Sequence, residues 1–493
     1  MALSSHILQI LSLLFGLAVA ADYPGIPKDL TTPVQQRIAF KGPNSISVSW
    51  NTYGQLNEAC VQYGKSASSL TSQACSTQSV KYGTSRTWAH SVTLTGLDAA
   101  TTYYYKINST NSTANQFVTA RAPGDKTSFA LAVVADLGVY GADGYTTTRK
   151  REIPYIEPAL NHTTIGALAC TIDAYEFVLH PGDFAYADDW FLKPKNLLDG
   201  KNAYAAILEN FYQQLAPIAG RKPYMASPGN HEAACTEIPF TSGLCPEGQR
   251  NFTDFLTRFG GGLLPTAFPS ASQNATAQRY AATAASLARP PFWYSFEYGM
   301  VHVVMIDTET DFPAAPDGPD GSAGLGAGPF GSSPAQQVQF LEADLASVDR
   351  SVTPWVIVAG HRPWYTTGGS GSRCEPCQRA FEPLLYRYGV DLGVFGHVHN
   401  SQRFSPVYNG TANPKAPAYI VAGGAGNIEG LSAVGANYST NVFAYADDFS
   451  YATLRFRDAN RLQVDFVRSK TGEVLESSVL YRERGVDFVR NSS

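Results

Sequence analysis

Five short polar clusters punctuate the chain, each directly after an apolar run, and they constrain the fold more than any other feature of the sequence. The clusters are Asp136-Leu137-Gly138, Gly182-Asp183-Phe184-Ala185-Tyr186, Gly229-Asn230-His231-Glu232, Gly360-His361 and Gly396-His397-Val398-His399. The runs before them, 129–135, 177–180, 224–227, 355–359 and 390–395, are short, mostly β-branched or aromatic, and lack the alternation of a half-exposed strand. Such runs are predicted to be central strands covered on both faces. In open α/β sheets ligands gather just past the carboxyl ends of the strands, and a glycine opens four of the clusters where the backbone must bend. One sheet edge is therefore expected to collect every cluster.

The side chains sort into two sets by hardness. Asp136, Asp183, Tyr186 and one of the last two histidines combine carboxylate, phenolate and imidazole, which suits a small trivalent ion such as Fe(III). Asn230, His361 and the other late histidine, with Asp183 shared, form a less anionic set suited to Zn(II), Mn(II) or Fe(II). One bridging carboxylate holds two such ions roughly 3.5–4 Å apart. The chain has nine histidines, and His231, His361, His397 and His399 all fall in the clusters. His180 and His302 lie inside apolar runs and are read as core residues, while His90 and His162 are read as ordinary strand and loop residues. Asp188 and Asp189 are open between hydrogen-bond acceptors behind the site and capping or solvated residues.

The ordered series of clusters resembles that of the purple acid phosphatases, of the fungal secreted type, within the metallophosphoesterase superfamily. Tyr186-Ala187-Asp188, His361-Arg362-Pro363-Trp364-Tyr365 and Phe381-Glu382-Pro383-Leu384-Leu385-Tyr386 extend the resemblance. It implies that Asp136, Asp183, Tyr186 and His399 bind Fe(III), and that Asp183, Asn230, His361 and His397 bind the divalent ion, Zn, Fe or Mn. Many non-purple members of the superfamily carry a histidine where this chain has Gly138, and Tyr186 takes over as ligand. A phenolate on Fe(III) gives the colour for which the family is named. The implied activity is hydrolysis of phosphate monoesters at acidic pH, with a metal-bound hydroxide attacking in line and no phosphoenzyme. His231 is implied to be catalytic, as the acid that protonates the leaving alkoxide or as a phosphate-binding cation.

The chain departs from the plant-type pattern after His361. Plant enzymes carry paired histidines there, whereas this chain has Thr366-Thr367-Gly368-Gly369-Ser370-Gly371-Ser372-Arg373. Arg373 is open between a replacement cation and a surface residue. Relatives with such loops include enzymes acting on inositol polyphosphates, so phytate belongs to the expected substrate range. Two alternatives stand beside this reading: a metallo-phosphodiesterase or nucleotidase, and a non-catalytic secreted cell-wall module with a vestigial metal site.

Residues 1–20 read as a secretory signal peptide, with an apolar stretch at 7–19, the small-residue pattern Ala18-Val19-Ala20 and cleavage before Ala21. The stretch is too short and interrupted to span a membrane. Sequons at Asn108, Asn111, Asn161, Asn251, Asn274, Asn409, Asn437 and Asn491 predict N-linked glycans. Seven cysteines suggest the pairs Cys60–Cys75, Cys235–Cys245 and Cys374–Cys377, with Cys170 left over. A net charge of −5 argues against a nucleic-acid partner. A soluble extracellular or cell-wall glycoprotein without a membrane anchor is expected.

The expected architecture is an N-terminal all-β, fibronectin III-like sandwich followed by an α/β catalytic domain, the four-layer α/β/β/α sandwich of the metallophosphoesterase type that the resemblance implies. The sandwich is placed at 30–122, where 97–103 resembles a tyrosine corner, and 121–125 is read as a linker. The binuclear-metal phosphoesterase domain is placed at 126–485, its final strands at 446–485 completing it. Helices are predicted from a capping pattern at 333–336, with an apolar face of Val338, Leu341, Leu345 and Val348, and again at 381–388. Residues 312–333 read as a long loop and 233–290 as a poorly periodic insertion near the site rim.

Overall fold

The computed structural model describes residues 23–109, 112–140, 163–192, 196, 200–233, 245–317, 336–435 and 439–484. The leader, Cys235, the sequons at Asn111, Asn161, Asn437 and Asn491, His162, the helix start at 333–335 and most of the 312–333 loop lie outside them.

The N-terminal half of the architecture is two four-stranded antiparallel sheets. Strands Val34–Gly42, Ser45–Thr52, Trp88–Leu94 and Ser79–Val80 form one, and Ser72–Ser76, Ala59–Gly64, Thr102–Ile107 and Asn115–Val118 the other. Their inner faces bury Ile38, Val48, Trp50, Tyr105 and Phe117. Asp98 N donates to the Tyr103 hydroxyl at 3.2 Å, the tyrosine corner expected at 97–103. Cys60 and Cys75 are bonded across neighbouring strands.

Two mixed sheets build the remainder of the molecule. The six-stranded sheet runs Tyr224–Ser227, Val178–Pro181, Phe129–Val133, Ser450–Phe456, Arg461–Arg468 and Val474–Tyr481, the first three parallel. The seven-stranded sheet runs Tyr294–Tyr298, Val301–Met305, Trp355–Ala359, Leu392–Phe395, Ala418–Ala422, Ser401–Phe404 and Asn441–Tyr445. The four strands from Val301 to Ala422 in that order are parallel. Aromatic rings join the sheets: Phe129 lies 5.0 Å from Tyr298, and Phe456 6.1 Å from Trp355. Helices Thr164–Cys170 and Gly200–Ala219 accompany the first sheet, while Ala275–Leu287, Gln336–Ser347 and Glu375–Arg387 accompany the second. The apolar runs are buried on both faces, as strands covered by helices on one side and a second sheet on the other must be.

Some expectations change. The clusters do not share one sheet edge: three follow strands of the six-stranded sheet and two follow strands of the seven-stranded one. The helix expected at 381–388 begins at Glu375, because Pro376 suits a first turn and Cys374 Sγ caps Cys377 N–H at 3.1 Å. The Cys374–Cys377 disulfide closes that turn. The 233–290 region contains helix Ala275–Leu287, capped by Asn274 Oδ1, whose buried contacts are the alanines Ala281 and Ala284 rather than a large apolar stripe. The 121–125 segment is pinned: Arg121 pairs with Glu176 at 2.6 Å, and Gly124, at φ +92°, donates to Gly299 O. Cys170 carries a free, exposed thiol.

Candidate metal centre

Both parallel strand sets end at the same place. Leu137 N and Gly138 N donate to Asp183 O and Phe184 O, so the first two clusters run alongside each other beyond their strands. Gly396 N donates to His361 O and ties the last two clusters in the same way. Four polar residues in these turns take left-handed backbone: Asp136 (φ +58°), Asp183 (+56°), Tyr186 (+51°) and His397 (+67°). Such conformations cost roughly 1–3 kcal/mol each in non-glycine residues and concentrate at functional sites. Gly138 (φ +72°) and Gly182 (φ +88°) share that torsion, whereas Gly229 and Gly396 are required for contact. A Cβ at Gly229 would sit 2.2 Å from Asp183 Oδ1, and one at Gly396 2.5 Å from Asp136 Oδ2.

The donor atoms converge on two points. The Tyr186 hydroxyl lies 2.9 Å from Asp136 Oδ1, 2.8 Å from His399 Nε2 and 3.3 Å from Asp183 Oδ2. His361 Nε2 lies 2.9 Å from the same Asp183 Oδ2 and 3.0 Å from Asn230 Oδ1. Ring nitrogens of His361 and His397 and a carboxylate oxygen of Asp183 all lie within 4.8 Å of one another. Ligands held about 2.0–2.2 Å from one ion are roughly 3 Å apart along the edges of an octahedron, the spacing seen here. Asp136, Asp183 and His361 are fully buried. Among the described residues no lysine or arginine forms an ion pair with either aspartate, so the site has the charge as well as the geometry for cations. All seven sequence-predicted ligands come together, and Asp183 Oδ2 stands between the two sets.

His231 sits at the rim. Its Nδ1 is 2.9 and 3.0 Å from the two Asp188 oxygens, its Nε2 is 4.0 Å from Asp183 Oδ2, and its ring packs 4.0 Å from that of Tyr186. Burial opposes its charge, but Asp188 and Asp183 outweigh it and hold the imidazolium well above 6.5. Asp188, and more weakly Asp189, are contributors that a cation at Asp183 would leave in place.

Residues 129–401 match the calcineurin-like phosphoesterase family, 33–119 the N-terminal domain of purple acid phosphatases, and 416–477 the iron/zinc purple acid phosphatase-like protein C family. Acid phosphatase A of Cryphonectria parasitica is 64% identical over 498 residues, with 98% of each chain covered. The chain belongs to the purple acid phosphatase family. Purple acid phosphatase 22 of Arabidopsis thaliana is 27% identical over 468 residues, 94% of this chain and 87% of that one. A purple acid phosphatase structure from yellow lupin seeds has the same fold, with TM-score 0.65 and 23% identity over 93% of this chain and 76% of the other.

Several residues of this acid phosphatase carry more of the site than their sequence context signals. Asp188 and Asp189 are both buried, so the solvated alternative is set aside; Asp188 is bonded to His231, and both lie in the first turn of the short helix Ala187–Leu192. Glu232 accepts from Gly229 N, Asp183 N and Phe184 N at 2.8–2.9 Å and so stitches the second and third clusters together. Glu232 stood in the third cluster, but nothing in one sequence says that its carboxylate serves backbone N–H groups. Arg362, clamped by both Glu309 oxygens, lies 3.1 Å from His397 Nε2. His180 and His302 are buried core residues, as expected. Arg373 lines a cavity with Trp364, Tyr365, Gln378 and Asn409 that includes none of the seven donors.

Proposed function

We propose that this phosphatase hydrolyses phosphate monoesters at acidic pH with a binuclear centre in which Asp136, Asp183, Tyr186 and His399 hold Fe(III), and Asp183, Asn230, His361 and His397 hold Zn(II), Fe(II) or Mn(II). The observation that carries the reading is Asp183 Oδ2, which lies within 3.3 Å of the Tyr186 hydroxyl and 2.9 Å of His361 Nε2 and so belongs to both donor sets. When bound, the ion pair supplies neutralisation of phosphate charge and a nucleophile at low pH.

The chain's own residues supply the remainder. Asp188 fixes the His231 ring through Nδ1 and leaves Nε2 facing the site, where it holds the proton that the departing alkoxide needs. Tyr186 packs against that ring and limits its rotation. Glu232 keeps the Gly182 and Gly229 turns at a fixed separation through three N–H bonds. The reading keeps 30–122 as scaffold, 126–485 as the catalytic unit and phytate within the substrate range.

Secretion and glycosylation are part of the proposal. Asn108, Asn251, Asn274 and Asn409 are all exposed, as glycan acceptors must be. Among the described residues no helix is long and apolar enough to cross a membrane.

Metal analysis with a visible spectrum tests the centre. Purified protein should hold one iron and one divalent ion, absorb as a violet to pink species, and lose that band in Tyr186→Phe while the fold persists. Colourless protein without iron would sink the assignment. Turnover of a phosphate bis-ester faster than of a monoester would favour the phosphodiesterase reading instead.

A further inference from the structure

His231 lies in the short helix Asn230–Ala233. One turn of helix leaves its carbonyl groups without the intrahelical partners that a longer helix would provide. The partner of His231 O comes from elsewhere: Gln249 Nε2 donates to it at 2.7 Å. Gln249 is buried and 18 residues further along the chain, shortly after Cys245.

This stretch is gripped by the N-terminal sandwich. In the loop 82–84, Gly83 N and Thr84 N each donate to the Glu247 carboxylate at 2.9 Å. The Tyr82 hydroxyl donates to Asp254 Oδ1 at 3.0 Å. Asp254 N in turn donates to Gly248 O at 2.7 Å, and Arg258 Nε binds both Asp254 oxygens at 3.0 and 2.8 Å. Arg37 of the sandwich closes the arrangement by donating to Arg258 O from Nε and Nη2. There is little slack: a Cβ at Gly248 would lie 2.7 Å from the Tyr204 ring and 2.8 Å from the Tyr82 hydroxyl. Arg37, Tyr82, Gln249, Asp254 and Arg258 are all buried.

We infer that the 82–84 loop of the N-terminal sandwich positions His231, acting through the 247–249 turn and the Gln249 side chain. Asp188 fixes the imidazole at Nδ1, Gln249 fixes the backbone beneath it, and Nε2 is left with one location relative to the Asp183 carboxylate. The sandwich thereby takes part in catalysis without contributing an atom to the site. Misplacement of a catalytic group by about 1 Å costs up to about 10²-fold in rate, so a hydrogen bond at this remove is large enough to measure. The inference rests on the proposed role of His231.

The test is a set of double-mutant cycles on purified enzyme with metal content and thermal midpoint checked in every variant. Gln249→Leu, which keeps size and removes the donor, should lower kcat for an alkyl phosphate by about 10-fold with KM and both metals little changed. Tyr82→Phe, in the other domain, should lower kcat in the same pattern by about 3-fold. In a His231→Ala background neither substitution should lower kcat further. An undiminished effect of Gln249→Leu in that background would show that it does not act through His231 and would overturn the inference, as would an unchanged kcat in both single variants. Full turnover by His231→Ala alone removes the role of His231 first and the inference with it. Should Gln249→Leu not fold, Tyr82→Phe and Glu247→Gln report on the same path from the sandwich side.

Discussion

Asp183 gives its two oxygens to different duties: Oδ1 accepts the His231 N–H at 3.0 Å, while Oδ2 lies between Tyr186 and His361. Asp183→Asn should therefore reduce the content of both metals, whereas His361→Ala should mainly deplete the divalent ion; elemental analysis showing equal loss of both in the two variants would refute the partition. At His231 the question is acid or anchor. His231→Ala should keep both metals and lower kcat by roughly 10²–10⁴-fold for an alkyl phosphate, whose alkoxide leaves poorly, and by much less for an aryl phosphate. Equal losses on the two esters would discard general acid catalysis. The donors were legible in the sequence because each sits in a short run of polar and glycine residues beyond a buried strand, a pattern with few other physical uses. Asp188 was legible only as one of two alternatives: its bond to His231 depends on where that ring turns, and the ring's packing against Tyr186 leaves no trace in local sequence.

At the level of single elements, helix Gln336–Ser347 is joined to the seven-stranded sheet by charge as well as by Phe340, Leu341 and Leu345. Asp344 Oδ2 lies 2.8 Å from His302 Nε2, and Glu297 Oε1 lies 3.7 Å from His302 Nδ1. Burial works against the His302 imidazolium, but Asp344 and then Glu297 prevail and raise it from 6.5 to about 9. A group whose folded value lies above its unfolded one stabilises fully below the unfolded value and loses that contribution as pH rises through the folded value. His302→Gln should accordingly cost most near pH 6, with the difference from the native enzyme shrinking by roughly 3 kcal/mol at most by pH 9.5. Denaturant midpoints at the two pH values check this, and a cost independent of pH would assign His302 to packing alone. Strands were the readable elements: 224–227 and 355–359 coincide with the observed ones because strands buried on both faces exclude charged residues and read as short unbroken runs. Helix Ala275–Leu287 was unreadable for the converse reason. It docks through alanines on helix Gln336–Ser347, and small residues allow close approach without producing an apolar stripe.

Across the whole molecule, the two halves meet through an aromatic seam. Phe40 of the sandwich lies 5.5 Å from Phe177, 5.8 Å from Phe296 and 5.3 Å from Tyr298, one residue in the six-stranded sheet's approach and two in the seven-stranded sheet. The first strand of the sandwich also bridges to the catalytic sheet at Ile38 and Pro223, and the Tyr105 hydroxyl donates to Gly220 O. Phe40→Ala should cost about 3–5 kcal/mol and shift one common unfolding transition; calorimetry that resolves two separate transitions in the native enzyme would show that the halves unfold independently. The tyrosine corner announced the sandwich in the sequence, whereas its grip on the larger domain joins residues such as Phe40 and Phe296 whose partnership no local pattern records. On the proposed assignment, the division of the donors between two sheets has a further consequence for when the protein would acquire its metals. Asp136, Asp183 and Asn230 leave the ribosome long before His361, His397 and His399, and neither sheet alone owns a complete set. A nascent chain therefore offers ions only partial sites, and full-affinity uptake awaits the docking of the two sheets. Metal loading through the proposed centre would in this sense be a checkpoint, reporting that residues more than two hundred positions apart have met in the correct register.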